Sequence, residues 1–341
     1  MAVCVPFAEA ELLRRTLREQ NLLRNDVEIL KDEKCIYFPV KEVPKELTSY
    51  KVVTKSFKLK TVKSNCYKDR LKLSKTLMEQ LPTSYDVVGA IILIKLSKAL
   101  YPYRKDIGTA LLETHKNIRT VCLIDPVSGE LRTRNITVIA GDNQTLTTYI
   151  EFGLSFDVDV EKTYFSPRLA SERRRVTNLV KPGEIVVDMF TGVAPFSIMI
   201  ARYAKPKIVY AIDKNTEAIK LAQQNAKKNF VLDTVEIIHA DANNIDKIIT
   251  KKADRIIMNL PFSAHRFFPL ALSIAAHICI IHYYDIIKEE GIKTRVDTLK
   301  KTATEHGFFL SDVSIRKIKT YAPREFYIGI DITATKYADV A

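Results

Sequence analysis

From Tyr164 onward, short buried strands alternate with helical stretches. Ile185 to Phe190, Ile208 to Asp213, Val235 to Ala240, Arg255 to Leu260 and Ile278 to Tyr283 are the strands, while Pro195 to Tyr203 and Glu217 to Asn229 are helices between them. Strands written as near-continuous apolar runs are covered on both faces, and a helix is the short way to return the chain to the same end of a sheet. This order therefore dictates an α/β layer built on a mostly parallel sheet. Near the end, Ser311 to Lys319 and Phe326 to Ala334 flank Tyr321-Ala322-Pro323-Arg324, which predicts an antiparallel hairpin completing that sheet. In such folds ligands bind outside the carboxyl ends of the strands, so the chemistry is sought there.

The preceding half is organised differently. Ala8 to Leu23 is rich in helix formers, and Val27 to Leu30 and Cys35 to Val40 read as strands around Lys31-Asp32-Glu33-Lys34. A second α/β module follows: Tyr85 to Ser97 reads as one mostly buried strand and Lys105 to His115 as a helix. Thr120 to Ile124, Leu131 to Ile139, Thr145 to Ile150 and Leu154 to Val160 are further strands, separated by turn residues such as Gly141-Asp142-Asn143 and Gly153. Residues 51–80 carry nine Lys or Arg against two Asp or Glu, so they supply +7 of the chain's formal net charge of +13. The expected division is 1–62, a basic linker at 63–80, then 81–162 and 163–341.

Such a positive excess points to a polyanionic partner, nucleic acid before an anionic membrane surface. The apolar run Leu270 to Ile281 is broken by Ser273 and His277 and is too short to cross a bilayer, and Met1 to Phe7 lacks the basic lead of a signal peptide. A cytoplasmic protein with no membrane partner is expected. Five widely spaced cysteines without C-x-x-C favour free thiols, and the histidines form no metal-ligand pair, so no metal site is expected.

Asp188-Met189-Phe190-Thr191-Gly192-Val193-Ala194-Pro195 lies where the first strand of the parallel sheet turns into the first helix. Gly192 permits a tight turn close to a ligand. Asp213 ends the second strand and Asp241 closes the third; a carboxylate at such a position can accept hydrogen bonds from a ribose diol. A dinucleotide needs G-x-G-x-x-G to bring its pyrophosphate onto the helix, and this loop has a single glycine with Asp188 beside it. S-adenosylmethionine fits better, because its sulfonium and ammonium groups favour the Asp188 carboxylate while Asp213 takes the ribose.

Met258-Asn259-Leu260-Pro261-Phe262 ends the fourth strand, directly across the sheet's carboxyl edge from the cofactor loop. It resembles the Asn-Pro-Pro-Tyr type of signature found in methyltransferases of planar nitrogens. Asn259 can bond the nitrogen-bearing edge of a base, and the proline stiffens the turn.

With these motifs in place the chain resembles the archaeal and eukaryotic tRNA guanine-37 N1-methyltransferases over nearly its whole length. The resemblance rests on Ser84 to Gly89, Ala140 to Thr147, Tyr164-Phe165-Ser166-Pro167-Arg168-Leu169 with Glu172-Arg173, the Asp188 loop, and Met258 to Pro261 with Ala264-His265. His282-Tyr283-Tyr284 and Tyr321-Ala322-Pro323-Arg324-Glu325 complete it. It implies a Rossmann-like class I methyltransferase domain preceded by two small α/β modules. In the family the first module reads the tRNA's overall shape and the other parts grip the anticodon stem-loop; a monomer is expected.

The N1 of guanine carries a proton at neutral pH, so its methylation needs a general base and a donor to hold charge on O6. The resemblance implies Glu172 as that base and Arg132 as the O6 donor, with Asn259 holding the base edge. Tyr164 would pack beside the flipped-out guanine or the cofactor, and Arg168 and Pro261 would contact substrate. Arg173, Asp188, Phe190, Gly192, Asp213, Lys214, Asp241, Ala242 and Asn259 match family cofactor positions. Ala194 departs from the family's usual Gly-Val-Gly-Pro loop, and its methyl narrows the approach of backbone to ligand.

Some archaeal relatives also methylate a tricyclic wyosine precursor at position 37 of tRNA-Phe, which is the alternative activity. A methyltransferase acting on another nitrogen, such as an exocyclic amine of DNA, RNA or a protein glutamine, commonly works without a strong base, and a non-catalytic RNA binder would have lost the cofactor acids.

Overall fold

The N-terminal stretch forms an inner strand. β1 (Ala2–Pro6) buries Val3 and Val5. This computed structural model describes residues 1–42, 50–59, 66–125 and 135–337. The chain divides into two units, Met1–Asn65 and Cys66–Ala341.

In the first unit, α1 (Ala10–Glu19) turns Ala10, Leu13 and Leu17 inward, the one-stripe spacing of an amphipathic helix. They share a core with Val3, Val5, Leu23 and Phe38. β2 (Leu30–Lys31), β3 (Cys35–Pro39) and β4 (Lys51–Val53) complete an antiparallel sheet of order β2-β3-β1-β4.

The second unit begins inside the stretch expected to be a basic linker. Tyr67 is buried and donates its hydroxyl to the Pro82 carbonyl at 2.6 Å, and α2 (Lys75–Glu79) lays Leu77 and Met78 on the core beside it. The single strand expected over Tyr85 to Ser97 is two, β5 (Asp86–Val88) and β6 (Ile91–Ile94), paired antiparallel about Gly89 at φ +55°. The crossover helix α3 (Arg104–Thr114) returns the chain to β7 (Thr120–Ile124), parallel to β6, and β8 (Ile136–Gly141) closes the sheet β5-β6-β7-β8. The expected strand from Leu131 starts outside the described residues.

A hairpin of β9 (Leu146–Glu151) and β10 (Leu154–Asp159) follows. Next come α4 (Ala170–Leu179), β11 (Ile185–Asp188), α5 (Pro195–Ala204), β12 (Ile208–Asp213), α6 (Thr216–Lys228), β13 (Val235–His239), α7 (Ile245–Ile248), β14 (Ala253–Met258) and α8 (Ala264–Ile274). The chain ends in β15 (Ala275–Lys288), α9 (Ile292–Glu305), β16 (Phe308–Ala322) and β17 (Glu325–Lys336). β11 to β17 make one seven-stranded sheet of order β13-β12-β11-β14-β15-β17-β16, in which the first five strands are parallel and β17 runs antiparallel between β15 and β16. The apolar run Leu270 to Ile281 is divided between α8 and β15.

α6 fastens the hairpin to this domain through two side-chain amides that imitate a neighbouring strand. Asn225 accepts from Asp157 N at 2.7 Å and donates to Asp157 O at 3.1 Å; Asn229 does the same at Ser155, at 3.0 and 2.8 Å. The edge of β10 is thereby paired rather than exposed.

Gly89 provides a stability test. A Cβ there would lie 2.3 Å from both Thr147 Oγ1 and Thr148 O, on top of a left-handed φ, whereas Gly183, at φ +84°, has nothing within 4 Å. Gly183→Ala should cost only the backbone term, about 1–2 kcal/mol. Gly89→Ala should cost at least about 2 kcal/mol more, since overpacking adds to it. Thermal or denaturant unfolding of the two variants checks this; equal losses would contradict it.

Candidate active site

The carboxyl ends of four adjacent parallel strands converge here. Asp188 ends β11, Asp213 ends β12, Asp241 follows β13, and Asn259 follows β14, so all four stand on one edge in the order of the sheet.

Asp188 is buried, and its Oδ2 accepts from Thr191 Oγ1 at 3.0 Å and Ser197 Oγ at 2.8 Å. Its Oδ1 meets no hydrogen-bond donor among the described residues. Burial pushes the carboxyl up to about 6 despite those hydrogen bonds, and Asp213 adds to the rise. An anion kept dry with one oxygen unsatisfied fits a cationic ligand, here an ammonium or sulfonium group.

Asp213 accepts from Gly192 N at 2.7 Å and Asn215 N at 2.9 Å, which ties the cofactor loop to β12. A carboxylate has about four acceptor sites, so room for a diol remains. Gly192 adopts φ +57°, with the Tyr164 carbonyl 3.5 Å from where a Cβ would stand, so Tyr164 runs beside the loop. Asp241 caps the next turn by accepting from Asn243 N at 2.8 Å, and Ala242 is buried behind it. The Lys214 carbonyl lies 3.2 Å from His239 Nε2, and Phe190 packs edge-on against Phe267.

Ala194, the departure from the usual loop, caps α5 in the left-handed conformation, φ 65° and ψ 37°, and is fully buried. Its methyl there costs about 1–2 kcal/mol relative to a residue free of Cβ. This chain carries that strain in the cofactor loop.

Two of the expected contact residues also tie elements of the protein together. Arg173 is buried and gives Nε to Glu151 Oε1 at 2.7 Å, Nη2 to Glu151 Oε2 and Nη1 to the Ser166 carbonyl at 3.2 Å. It joins α4 to β9, and its guanidinium donors point at protein. Arg168 pairs with Asp86 of the middle sheet. Arg132 lies outside the described residues.

Glu172, on the first turn of α4, is buried in a cluster of charges. Arg175 donates Nε to its Oε2 at 2.9 Å and Nη2 to its Oε1 at 2.7 Å, and Tyr284 donates its hydroxyl to Oε1 at 2.9 Å. Burial raises the carboxyl, but Arg175, Tyr284 and Arg316 outweigh it and hold it below the ordinary glutamate value. The ring of Tyr284 lies 6.1 Å from that of Tyr327, whose hydroxyl bonds Asn259 Oδ1. Two tyrosines thus bridge the candidate base and the candidate base-edge amide.

The loop after Asn259 is fixed from below. Pro261 is buried, Phe262 takes φ +76°, and its N–H donates to Asp285 Oδ1 at 3.2 Å. Asp285, itself buried, pairs with Arg295 at 2.8 Å. Tyr284, Tyr327, Arg175, Arg316, Asp285 and Asp331 were not singled out as site residues from sequence. Only His282-Tyr283-Tyr284, as a family motif, pointed toward this row. Among the described residues no group of His, Cys, Asp and Glu is placed to hold a metal ion, and no helix is long and apolar enough to cross a membrane.

This fold and this edge define a Rossmann-like class I methyltransferase domain whose cofactor is S-adenosyl-L-methionine. Residues 147–311 match the TRM5/TYW2 methyltransferase domain, 67–145 the TYW2 N-terminal domain and 2–48 the tRNA methyltransferase 5 N-terminal domain. The chain is 38% identical to the tRNA (guanine(37)-N(1))-methyltransferase Trm5b of Pyrococcus abyssi over 97% of its length and 98% of that relative. The crystal structure of Trm5b from that organism matches with a TM-score of 0.82, covering 98% of this chain and 99% of that one. A solved complex of aTrm5 and tRNALeu matches at 34% identity with a TM-score of 0.75, covering 98% and 99%. The tRNA(Phe) (4-demethylwyosine(37)-C(7)) aminocarboxypropyltransferase of Pyrococcus horikoshii is 33% identical over 78% of this chain and 94% of its own. The chain belongs to the tRNA (guanine-37-N1)-methyltransferase family.

If Asp188 holds a cationic end of the cofactor, binding depends on pH. A cationic ligand binds the ionised carboxylate and competes with its proton, so affinity should be full above about pH 6 and fall by up to about tenfold per unit below it. Calorimetric titration of S-adenosylmethionine on either side of that value checks the sign; a flat affinity, or one that rises on acidification, would contradict it.

Proposed function

We propose that this chain transfers the methyl group of S-adenosyl-L-methionine to N1 of guanosine 37 in tRNA, with Glu172 as general base. The observation that carries this reading is the bridge from Glu172 through Tyr284 and Tyr327 to Asn259, beside the cofactor acids. A methyltransferase for an exocyclic amine has no need of a buried carboxylate beside its base-binding amide.

Asn259 offers an amide to the base edge, and Tyr327, bonded to its Oδ1, orients the remaining N–H donors outward. Tyr164, passing beside Gly192, would flank the flipped-out guanine, with Arg168 and Pro261 lining the approach. Glu172, kept ionised by Arg175 and Tyr284, accepts the N1 proton. When bound, the cofactor supplies an electrophilic methyl group on a sulfonium. Asp188 and Asp213 hold its cationic and ribose ends, and Arg132, as in the family, donates to O6.

The presence of the N-terminal unit supports methyl transfer over aminocarboxypropyl transfer. The guanine-37 relative covers 97% of this chain and the aminocarboxypropyltransferase 78%, while residues 2–48 match a domain named for the methyltransferase. The protein would act as a monomer, the first unit reading the tRNA's distal shape and the second its anticodon stem-loop.

Glu172→Gln should lower the rate of methyl transfer at least about a hundredfold, the lower end of what a general base contributes. Cofactor affinity should be unaltered. The check is transfer from labelled S-adenosylmethionine to a guanosine-37 transcript and an adenosine-37 variant, with mass spectrometry of the nucleosides. N1-methylguanosine from the first alone is expected; product from both, or an unimpaired Glu172→Gln enzyme, would refute the assignment.

A further inference from the structure

Taking a proton from guanine N1 moves charge: the base becomes neutral and the guanine becomes an anion. A buried site needs a cation for that anion, and the groups around Glu172 supply it.

Glu172 meets Arg175 of its own helix α4, Tyr284 of β15 and Arg316 of β16, and behind the two arginines stand Asp331 of β17 and His282 of β15. The register builds the cluster. Across the sheet His282 stands opposite Asp331 and Tyr284 opposite Gly329, which on its other side faces Arg316. A Cβ on Gly329 would come within 3.2 Å of both Arg316 Nη2 and the Tyr284 ring, so glycine makes the space they share.

Asp331 accepts from both arginines through both oxygens: from Arg175 at 2.8 and 3.2 Å, and from Arg316 at 2.9 and 3.0 Å. Arg316 Nη2 also reaches Glu172 Oε1 at 3.3 Å. His282 Nε2 faces Arg255 Nη1 at 2.8 Å, and an arginine can only donate, so the imidazole carries its proton on Nδ1, toward Asp331 at 2.6 Å. Burial first, and the neighbouring arginines, lower its pKa and keep it neutral against the pull of Asp331. Two guanidiniums therefore balance two carboxylates.

Arg316 keeps one donor unmatched within the cluster. Its Nε is buried yet has no acceptor among the described residues, and an unmade buried hydrogen bond costs free energy.

We propose that Arg316, with Arg175 and carried on Asp331, is a positioning residue that holds the counter-charge for N1 deprotonation; this rests on Glu172 being the base. The N1–H bond breaks and the proton passes to Glu172. The two arginines, left with Asp331 as their sole anion, present one net positive charge to the guanine anion. The N1 electron pair then forms the bond to the methyl carbon while the carbon–sulfur bond breaks with its electrons on sulfur. Glu172 finally gives its proton to water.

The test is single-turnover methyl transfer by the full-length protein, at saturating cofactor and guanosine-37 transcript, from acid to mildly alkaline pH, with transcript affinity measured separately. Arg316→Met should slow the step about tenfold or more, as loss of a charge-stabilising donor does. Transcript affinity should be unchanged, and the acid limb should move to higher pH because Glu172 has lost a cation. Arg316→Lys should restore part of both. Asp331→Asn should move the acid limb the opposite way, since both arginines then attend Glu172 alone; if it melts early, the Arg316 pair decides the matter.

An Arg316→Met enzyme with normal rate and pH profile, or one that loses only transcript affinity, would overturn the proposal. Glu172→Gln run in parallel separates the failures. If Glu172→Gln is inactive and Arg316→Met is normal, only the counter-charge role falls; if Glu172→Gln is active, the base assignment falls first.

Discussion

The buried chain of charges from Glu184 to Glu172 is the interaction on which the rest of this domain depends. Glu184, just before β11, pairs with Arg255 of β14 at 2.7 Å; Arg255 reaches His282, His282 reaches Asp331, and Asp331 holds the arginines on Glu172. The chain runs from the amino end of the parallel sheet to its reacting edge and crosses from parallel strands into the antiparallel hairpin. Removing one partner of a buried pair leaves an uncompensated charge at a cost of about 3–5 kcal/mol. Charges of this kind do not add net stability over apolar packing, so their worth lies in setting which groups meet and in what protonation state. They make β16 and β17, far along the chain from α4, part of the same site.

The cofactor end uses the opposite device. Asp188 is dry and only half bonded, which raises its pKa and leaves an oxygen waiting for a cation. Ala194 adds backbone strain to the same loop. Both are local costs that a bound cation and a closed loop can offset, whereas Glu172 is already compensated by arginine. The two carboxylates are thereby set apart, one raised by burial and the other held low by arginine, which suits the cation-binding and proton-accepting roles proposed for them.

Sequence conveyed the parts governed by local pattern. The parallel strands, their terminal acids and the hairpin about Pro323-Arg324 were legible because burial and turn chemistry write them directly. Gly89 was passed over as part of a strand because a single glycine in an apolar run does not show its sign of φ. The basic stretch before residue 80 looked like a free arm because charge hid Tyr67, Leu77 and Met78, which pack inward. At the site, Asp188, Asp213 and Asn259 followed from strand order, and Glu172 from family resemblance. Arg316 and Asp331 had no signal, since only the register between β15, β17 and β16 brings them to Glu172 across more than a hundred residues of chain. Arg173 was expected at the cofactor from its place in a motif; its buried pairing with Glu151 is a second feature, which required the fold to be seen.

The most direct measurement is a structure of the protein with a guanosine-37 anticodon stem-loop and a non-reactive analogue of S-adenosylmethionine. N1 of guanine 37 should lie within hydrogen-bond reach of a Glu172 oxygen, about 2.6–3.2 Å. Asn259 should lie on the base edge, and Asp331 should still hold Arg175 and Arg316. A guanine bound with N1 turned away from Glu172, and another group of the protein within reach of that proton, would contradict the account.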